Sequence, residues 1–173
     1  LVSTFYAGQE GSFSLWTLYT TIIGLILINY SSKRGYESEL MFVWSMILGF
    51  LLLMLIVKNP FSLIWETFPK DLLHTGPLMS DAAANFVWID KLKGVWAQYP
   101  AEGKGLNPLL QNYWMVIHPQ ILFTGFSSMA VPYAFAVAAL LRRDYQGWVT
   151  VAKPWTVFGS AILGTGIILG GYW

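Results

Sequence analysis

Apolar residues are gathered into four blocks along this chain, at about 13–30, 40–57, 119–141 and 154–173. Each block has about the twenty residues that a helix needs to cross the hydrocarbon core of a bilayer. The interiors of the blocks contain no Asp, Glu, Lys, Arg or His. The pattern therefore predicts an all-α fold, an integral membrane bundle with about four transmembrane helices.

The blocks divide the chain into a first helix pair at 1–57, a connection at 58–118 and a second helix pair at 119–173. Within the connection, helical spacing places five apolar side chains on one face: Trp88, Leu92, Val95, Trp96 and Tyr99. This spacing predicts an amphipathic helix at about 81–99. We expect a structural helix on the membrane surface, and a lid over a ligand is the alternative.

Positive charge marks the two short loops between the blocks. Lys33 and Arg34 lie between the first and second blocks, and Arg142, Arg143 and Lys153 lie between the third and fourth. The positive-inside rule assigns such loops to the cytoplasm. Both ends of the chain and the long connection are then extracytoplasmic.

Composition agrees with a membrane protein, since 55% of the residues are hydrophobic and only 11% are charged. The chain has no cysteine, which excludes a disulfide, a thiolate nucleophile and a cysteine metal site within it. A net charge of +1 gives no indication of nucleic-acid binding. The chain begins at Leu1 and stops at Trp173 inside an apolar run, so we expect a partial or split chain.

One histidine stands out, His118, which precedes Pro119 at the start of the third block. Proline is favoured at the first position of a helix, so we expect His118 at the outer rim of that span. A neutral imidazole beside aromatic side chains is a suitable ligand for haem iron. A hydrogen-bonded cap is the alternative role for His118, and His74 is expected to be a solvated loop residue.

Several distinctive strings occur along the chain in one order: Gly8-Gln9-Glu10-Gly11-Ser12 with Leu15-Trp16, Asn59-Pro60-Phe61, Leu106-Asn107-Pro108-Leu109-Leu110-Gln111 with His118-Pro119, 134–141, Pro154-Trp155-Thr156 and 163–173. In sequence and order they resemble the CcmF-like cytochrome c-type biogenesis haem lyases. The resemblance covers nearly the whole chain.

The resemblance implies a function in cytochrome c maturation in a bacterial-type inner membrane. Haem b would be received from a haem-delivering chaperone and attached to the thiols of apocytochrome c, together with other maturation subunits. His118 corresponds to an extracytoplasmic haem axial ligand of the family. Trp114, Tyr113 and Phe123 are candidate haem contacts, and the resemblance suggests that Glu10 faces the site.

The chain departs from the family pattern in three places. Gln120 follows Pro119, where family members usually have a second proline. Residues 66–105 have no counterpart, and the family's tryptophan-rich segment would begin only where the chain ends. This chain alone therefore does not complete the family's haem site.

Two other functions remain as alternatives to haem handling. A transporter of haem or another solute would usually carry ionisable groups inside its spans, and these blocks have none. A structural membrane subunit without a cofactor would also have aromatic belts and small residues between helices, such as the pair Gly166 and Gly170 that is expected to allow close packing of the fourth block. Haem bound between the spans would favour transport, and a haem-free protein bound to its partners would favour the structural role.

Overall fold

A computed structural model of the chain describes residues 2–77, 85–99 and 105–172. The chain forms two compact units, one made of Leu1–Pro60 with Leu106–Trp173 and the other of Phe61–Gly105. The first unit contains the predicted helix pairs. The second unit lies within the predicted connection.

The first unit contains four helices that are long and apolar enough to cross a membrane, which confirms the predicted helical membrane bundle. A short helix α1 (Val2–Ala7) precedes them. The four long helices are α2 (Gln9–Ser32), α3 (Glu37–Val57), α6 (Tyr113–Arg142) and α7 (Trp148–Gly171). The chain is thus a multi-pass membrane protein. Trp173, the predicted end of the fourth span, is outside the described residues.

Helix α6 begins earlier than the sequence predicts. Asn112 caps it, because its side-chain oxygen accepts a hydrogen bond from the Trp114 backbone N–H at 3.2 Å. Pro119 is therefore inside the helix, and His118 is not at its rim but roughly 7.5 Å along the axis from Tyr113. The α-helix also continues through Pro132. The expected helix start at Pro119 is wrong, because the polar cap at Asn112 precedes it.

Helix α6 is central to the first unit, since it packs against α2, α3 and α7. Trp44 of α3 is fully buried, and its Nε1 donates a hydrogen bond to the Thr20 carbonyl at 3.2 Å. Gly24 makes this contact possible, because a Cβ there would be 2.5 Å from Trp44 Nε1. Thr20 also shares a buried hydrogen bond of 3.0 Å with Ser127 of α6. One tryptophan and two hydroxyls thus connect three helices.

Helices α6 and α7 approach closely because small residues lie between them. A Cβ on Gly125 would be 2.6 Å from the Leu163 Cα atom, and one on Gly166 would be 2.9 Å from the Leu122 Cα atom. Gly159 faces the α6 backbone in the same way. The small residues predicted to permit close packing do so over much of this helix pair.

The second unit contains a three-stranded antiparallel sheet in the order β1-β3-β2. Two one-turn helices, α4 (Ile64–Thr67) and α5 (Pro69–Leu72), precede it. The strands are β1 (Leu73–Thr75), β2 (Phe86–Asp90) and β3 (Val95–Gln98). Trp88 and Trp96 are directly opposite each other in the β2–β3 pair.

The sheet corrects the predicted amphipathic helix at 81–99. Residues 81–84 are outside the described part of the chain, but residues 86–98 form a β-hairpin. Asp90 Oδ1 accepts hydrogen bonds from the backbone N–H groups of Leu92 and Lys93, and Gly94 has a φ of 64°. These are turn features, and the flanking aromatic and β-branched residues suit strands. The segment therefore forms two strands joined by a turn rather than a helix, although its apolar residues recur at helical spacing.

Candidate functional site

His118 is held between α6 and α7 by a hydrogen bond to the backbone of the facing helix. Its Nδ1 atom is 2.9 Å from the carbonyl oxygen of Gly166, and the ring is half-buried. A carbonyl can only accept, so Nδ1 carries the proton and donates it. In a neutral imidazole with the proton on Nδ1 the lone pair is on Nε2, which is the arrangement in which an imidazole ligates a metal.

Gly170 provides the space that the ring occupies. A Cβ at this position would be 2.8 Å from His118 Cε1 and 3.3 Å from Nδ1. Gly166 and Gly170 are one turn apart on α7, so one supplies the acceptor and the other the space. The sequence indicated this glycine pair as a packing feature, and the geometry adds its contact with the histidine.

Two aromatic residues lie near the same ends of α6 and α7. Trp114 is one turn before His118 on α6, and its ring stacks against that of Tyr172 with centroids 5.9 Å apart and planes 30° apart. Tyr113 contacts Trp114 edge to face and is 69% exposed. Nothing in the sequence marks Tyr172 as a site residue, because its partner on α6 depends on how the helices pack.

The other two candidate residues belong to a different face of α6 and to the start of α2. Phe123 packs against Trp16 of α2, with ring centroids 6.0 Å apart. Five residues along a helix correspond to a rotation of roughly 140°, so Phe123 and His118 are on different faces of α6. Glu10 is in the first turn of α2, where an acid suits the helix dipole.

The segment Gly8–Ser12 folds α1 back against the start of α2. A Cβ on Gly11 would overlap the Phe5 carbonyl oxygen at 1.7 Å, so only glycine fits there. Ser12 Oγ donates a hydrogen bond to the Tyr6 carbonyl at 2.9 Å. The buried Tyr6 in turn donates from its hydroxyl to the Val116 carbonyl at 3.1 Å. The segment thus connects α1 to α6 two residues before His118.

Gln120 connects the same part of α6 to α2. Its Nε2 donates to the Val116 carbonyl at 3.0 Å, and its Oε1 accepts from the Tyr19 hydroxyl at 3.3 Å. A proline could make neither contact, because it has no side-chain amide. The residue that departs from the family pattern is therefore an interhelical contact next to the site.

His74 is in strand β1 rather than in a loop. It is exposed, and its ring stacks on Trp96 with centroids 4.5 Å apart. Trp96 Nε1 is buried and has no hydrogen-bond partner among the described residues. His74 thus covers a tryptophan of the sheet, and this stacking contact gives the histidine a structural role.

The donor set around His118 suits a haem better than a bare metal ion. Among residues 2–77, 85–99 and 105–172, no three His, Cys, Asp or Glu side chains come together as metal ligands. A haem iron already has four porphyrin nitrogens and needs only axial ligands from protein. One imidazole with its second nitrogen fixed, near an aromatic pair, satisfies that requirement on one side.

The bundle and this site define a class: a multi-pass helical membrane protein with one imidazole fixed between two spans. The sequence profile of the family described as "Cytochrome C assembly protein" matches residues 6–173. The chain belongs to this family.

Named relatives support the assignment. The chain is 33% identical to "Cytochrome c-type biogenesis protein CcmF" of Pseudomonas fluorescens over 100% of its length, which is 22% of that relative. It is 28% identical to the CcmF protein of Escherichia coli K12, covering 99% of the chain and 22% of the relative. It is 27% identical to "Cytochrome c-type biogenesis protein NrfE" of Haemophilus influenzae, covering 99% and 23% respectively. The chain thus spans less than a quarter of these relatives. No solved structure matches it significantly.

Proposed function

We propose that this chain binds haem b through His118 and presents it for covalent attachment to apocytochrome c during cytochrome c maturation. The observation that carries the proposal is the hydrogen bond from His118 Nδ1 to the Gly166 carbonyl. It fixes the ring's orientation and its tautomer, as second partners do for metal-ligating histidines.

The surroundings of His118 support haem rather than another cofactor. The stacked pair Trp114 and Tyr172 offers flat apolar surface at the same helix ends. Aromatic rings favour contact with a macrocycle through offset or edge-to-face packing. Haem would supply the iron and the vinyl groups, and the chain would hold the haem in position.

The attachment reaction would take its thiols from the substrate. The chain itself contains no cysteine, so the sulfur atoms that bond to the vinyl carbons belong to apocytochrome c. Catalysis by this chain would then consist mainly of holding the reacting groups close together. A haem-delivering chaperone and other maturation subunits complete the proposed set of partners. The named relatives are themselves cytochrome c-type biogenesis proteins.

The proposed orientation places His118 on the extracytoplasmic side of a bacterial inner membrane. The short loops that carry Lys33, Arg34, Arg142 and Arg143 are at the opposite end of the helices from the start of α6. If those loops are cytoplasmic, as their charge predicts, the start of α6 faces outward.

A His118→Ala variant tests the proposal. We expect this variant, in the whole protein, to insert normally but to bind haem more weakly. Removing an outer partner of a metal ligand typically lowers the affinity by about 10–100-fold, and removing the ligand itself should lower the haem affinity by more than that. The absorption spectrum of the purified protein measures the haem, and covalent cytochrome c yield measures the function.

The matched control is His74→Ala, which removes the other histidine of the chain. It should keep both the haem spectrum and the cytochrome yield of the wild type. Wild-type haem content in His118→Ala would exclude His118 as the ligand. A haem-free wild-type protein that still supports cytochrome c assembly would instead favour the structural-subunit role.

A further inference from the structure

An open groove of about 490 Å³ runs along α2 on the first unit. Its walls come from three of the long helices, α2, α6 and α7. Its apolar lining residues include Ile22, Ile23, Ile26, Trp155 and Phe158. His118 is not a lining residue, so the groove is distinct from the candidate haem site.

The walls of the groove favour a hydrocarbon occupant. Its three hydroxyl groups are already used: Tyr30 donates to the Val151 carbonyl at 2.8 Å, Thr124 to the Gln120 carbonyl at 2.7 Å, and Tyr19 to Gln120 Oε1. The remaining lining side chains are apolar. None of the lining residues is a His, Met or Cys that could ligate a haem iron, and both tyrosine hydroxyls already donate hydrogen bonds within the protein.

The length of the groove matches one leaflet of a bilayer. From Tyr19 to Tyr30 the helix rises by roughly 16 Å at 1.5 Å per residue. Half of the hydrocarbon core is about 15 Å thick. A transmembrane helix would need a groove along the whole span, whereas a single acyl chain needs one of this length.

Positive charge lies at one end of the groove. The Arg34 guanidinium is 3.6 Å from the centroid of the Tyr30 ring, and it donates to the Tyr30 carbonyl at 3.0 Å. Lys153 precedes Pro154 and is exposed. Basic residues between helices at a membrane surface attract the phosphate groups of anionic lipids.

We infer that this groove binds one anionic phospholipid. An acyl chain occupies the apolar walls between Tyr19 and Tyr30, and the phosphate is held by Arg34 and Lys153 at the basic end. Three independent features of the groove favour this occupant: hydrocarbon walls, the length of one leaflet, and charge at the end where a headgroup would lie. Lipid binding in this groove requires no haem at His118.

A substitution that fills the groove tests the acyl-chain part. The whole protein is reconstituted into nanodiscs with equal amounts of phosphatidylglycerol and phosphatidylcholine, and retained lipids are counted by native mass spectrometry after extraction. We expect the wild type to retain about one phosphatidylglycerol. Ile26→Trp, at a groove-lining and half-exposed position, should remove it.

The matched control is Leu25→Trp, at the neighbouring position on α2. Leu25 is 66% exposed and is not a groove-lining residue, so its variant should retain the lipid. Because both positions face outward, neither variant should disturb the packed core. Equal retention in the two variants would overturn the inference.

A second variant tests the headgroup part. Arg34→Gln with Lys153→Gln should lower the preference for phosphatidylglycerol over phosphatidylcholine by about 25-fold, since each of the two basic residues at a surface contributes about fivefold. An unchanged preference would overturn the assignment of the phosphate site. Cross-linking of another segment of the protein to Ile26 would overturn the lipid as occupant altogether.

Discussion

His118 owes its orientation to two glycines on the facing helix. Gly166 offers its carbonyl oxygen to Nδ1, and Gly170 leaves the volume in which the ring lies. Any side chain at position 170 would compete with the imidazole for the same space. The orientation of the histidine ring therefore depends on two residues that have no side chain.

A Gly170→Ala variant should weaken haem binding by about tenfold, in the range seen when the outer support of a metal ligand is disturbed. Its new Cβ would be 2.8 Å from His118 Cε1, so the ring must move. Gly171→Ala is the control, because a Cβ there meets nothing within 4 Å. Haem titration followed by absorption measures both. Equal affinities in the two variants would contradict the role of Gly170.

At the opposite ends of the helices, Tyr36 and Asp144 connect the two short loops. The buried Tyr36 hydroxyl donates a hydrogen bond to Asp144 Oδ2. Burial, then this hydrogen bond and the charge of Asp144, raise the pKa of Tyr36 from 10.0 to about 12. The hydrogen bond from Tyr36, followed by one from the Gly147 backbone, lowers the pKa of Asp144 below 3.8. Both shifts favour a protonated phenol beside a charged carboxylate.

The pH dependence of this pair follows from the two directions. Because the pKa of Tyr36 is raised, its protonated phenol stabilises the fold fully below pH 10.0. This contribution is lost as the pH rises through about 12. Because the pKa of Asp144 is lowered, its charged carboxylate stabilises the fold above pH 3.8. This contribution is lost as the pH falls through the pKa that Asp144 has in the folded protein. We expect Tyr36→Phe to lower the melting temperature between these limits and to match the wild type beyond either. A difference that is constant across all pH values would contradict the coupling.

Among the elements, α1 shows how a short polar string becomes a structural contact. Gly11 allows the Phe5 carbonyl to approach α2, and the returning α1 places the Tyr6 hydroxyl on Val116 of α6. The string Gly8–Ser12 was identified in the sequence as a motif, but nothing in its spacing indicated that it would reach α6.

A Gly11→Ala variant should detach α1, although alanine is the better helix former by about 1 kcal/mol. The added Cβ would overlap the Phe5 carbonyl oxygen, so α1 must move away. Hydrogen exchange should then show the protection of α1 amides falling by about tenfold or more. In Gly8→Ala the new Cβ makes only an ordinary contact of 3.5 Å with Glu10, so protection should be retained. Unchanged protection in Gly11→Ala would exclude this role.

The β2–β3 hairpin shows where sequence pattern is ambiguous. Trp88, Leu92 and Trp96 recur every four residues, which is a helical spacing, yet Leu92 is at the tip of the turn and fully exposed. Local turn chemistry at Asp90 and Gly94 decided the outcome, because an Asx turn and a positive φ interrupt a helix. Periodicity over so short a stretch does not distinguish the two structures.

For the molecule as a whole, the distribution of charge determines the proposed orientation in the membrane. The basic residues of the short loops are at one end of the four spans, and the end of α3 and the start of α6, between which the connection runs in sequence, are at the other. Residues in these two regions should therefore differ in their accessibility to a reagent that cannot cross the membrane.

Single cysteines test this orientation, since the chain has none of its own. In right-side-out vesicles, an impermeant maleimide should label Leu92→Cys in the connection but not Gln146→Cys in the loop before α7. Both positions are exposed, so detergent should make both reactive. Labelling of Gln146→Cys alone would mean that the proposed orientation is inverted.

The sequence by itself determined the membrane spans, because about twenty uncharged apolar residues have no stable arrangement in a bilayer other than a helix. It also indicated His118, Trp114 and the glycines of α7 as notable positions. Only the tertiary structure decided that Gly166 and Gly170 face His118 and that Tyr172 meets Trp114, while Phe123 turns toward α2. These contacts join residues far apart in the chain. Local pattern determines which element a residue belongs to, whereas interhelical packing determines which residue it meets.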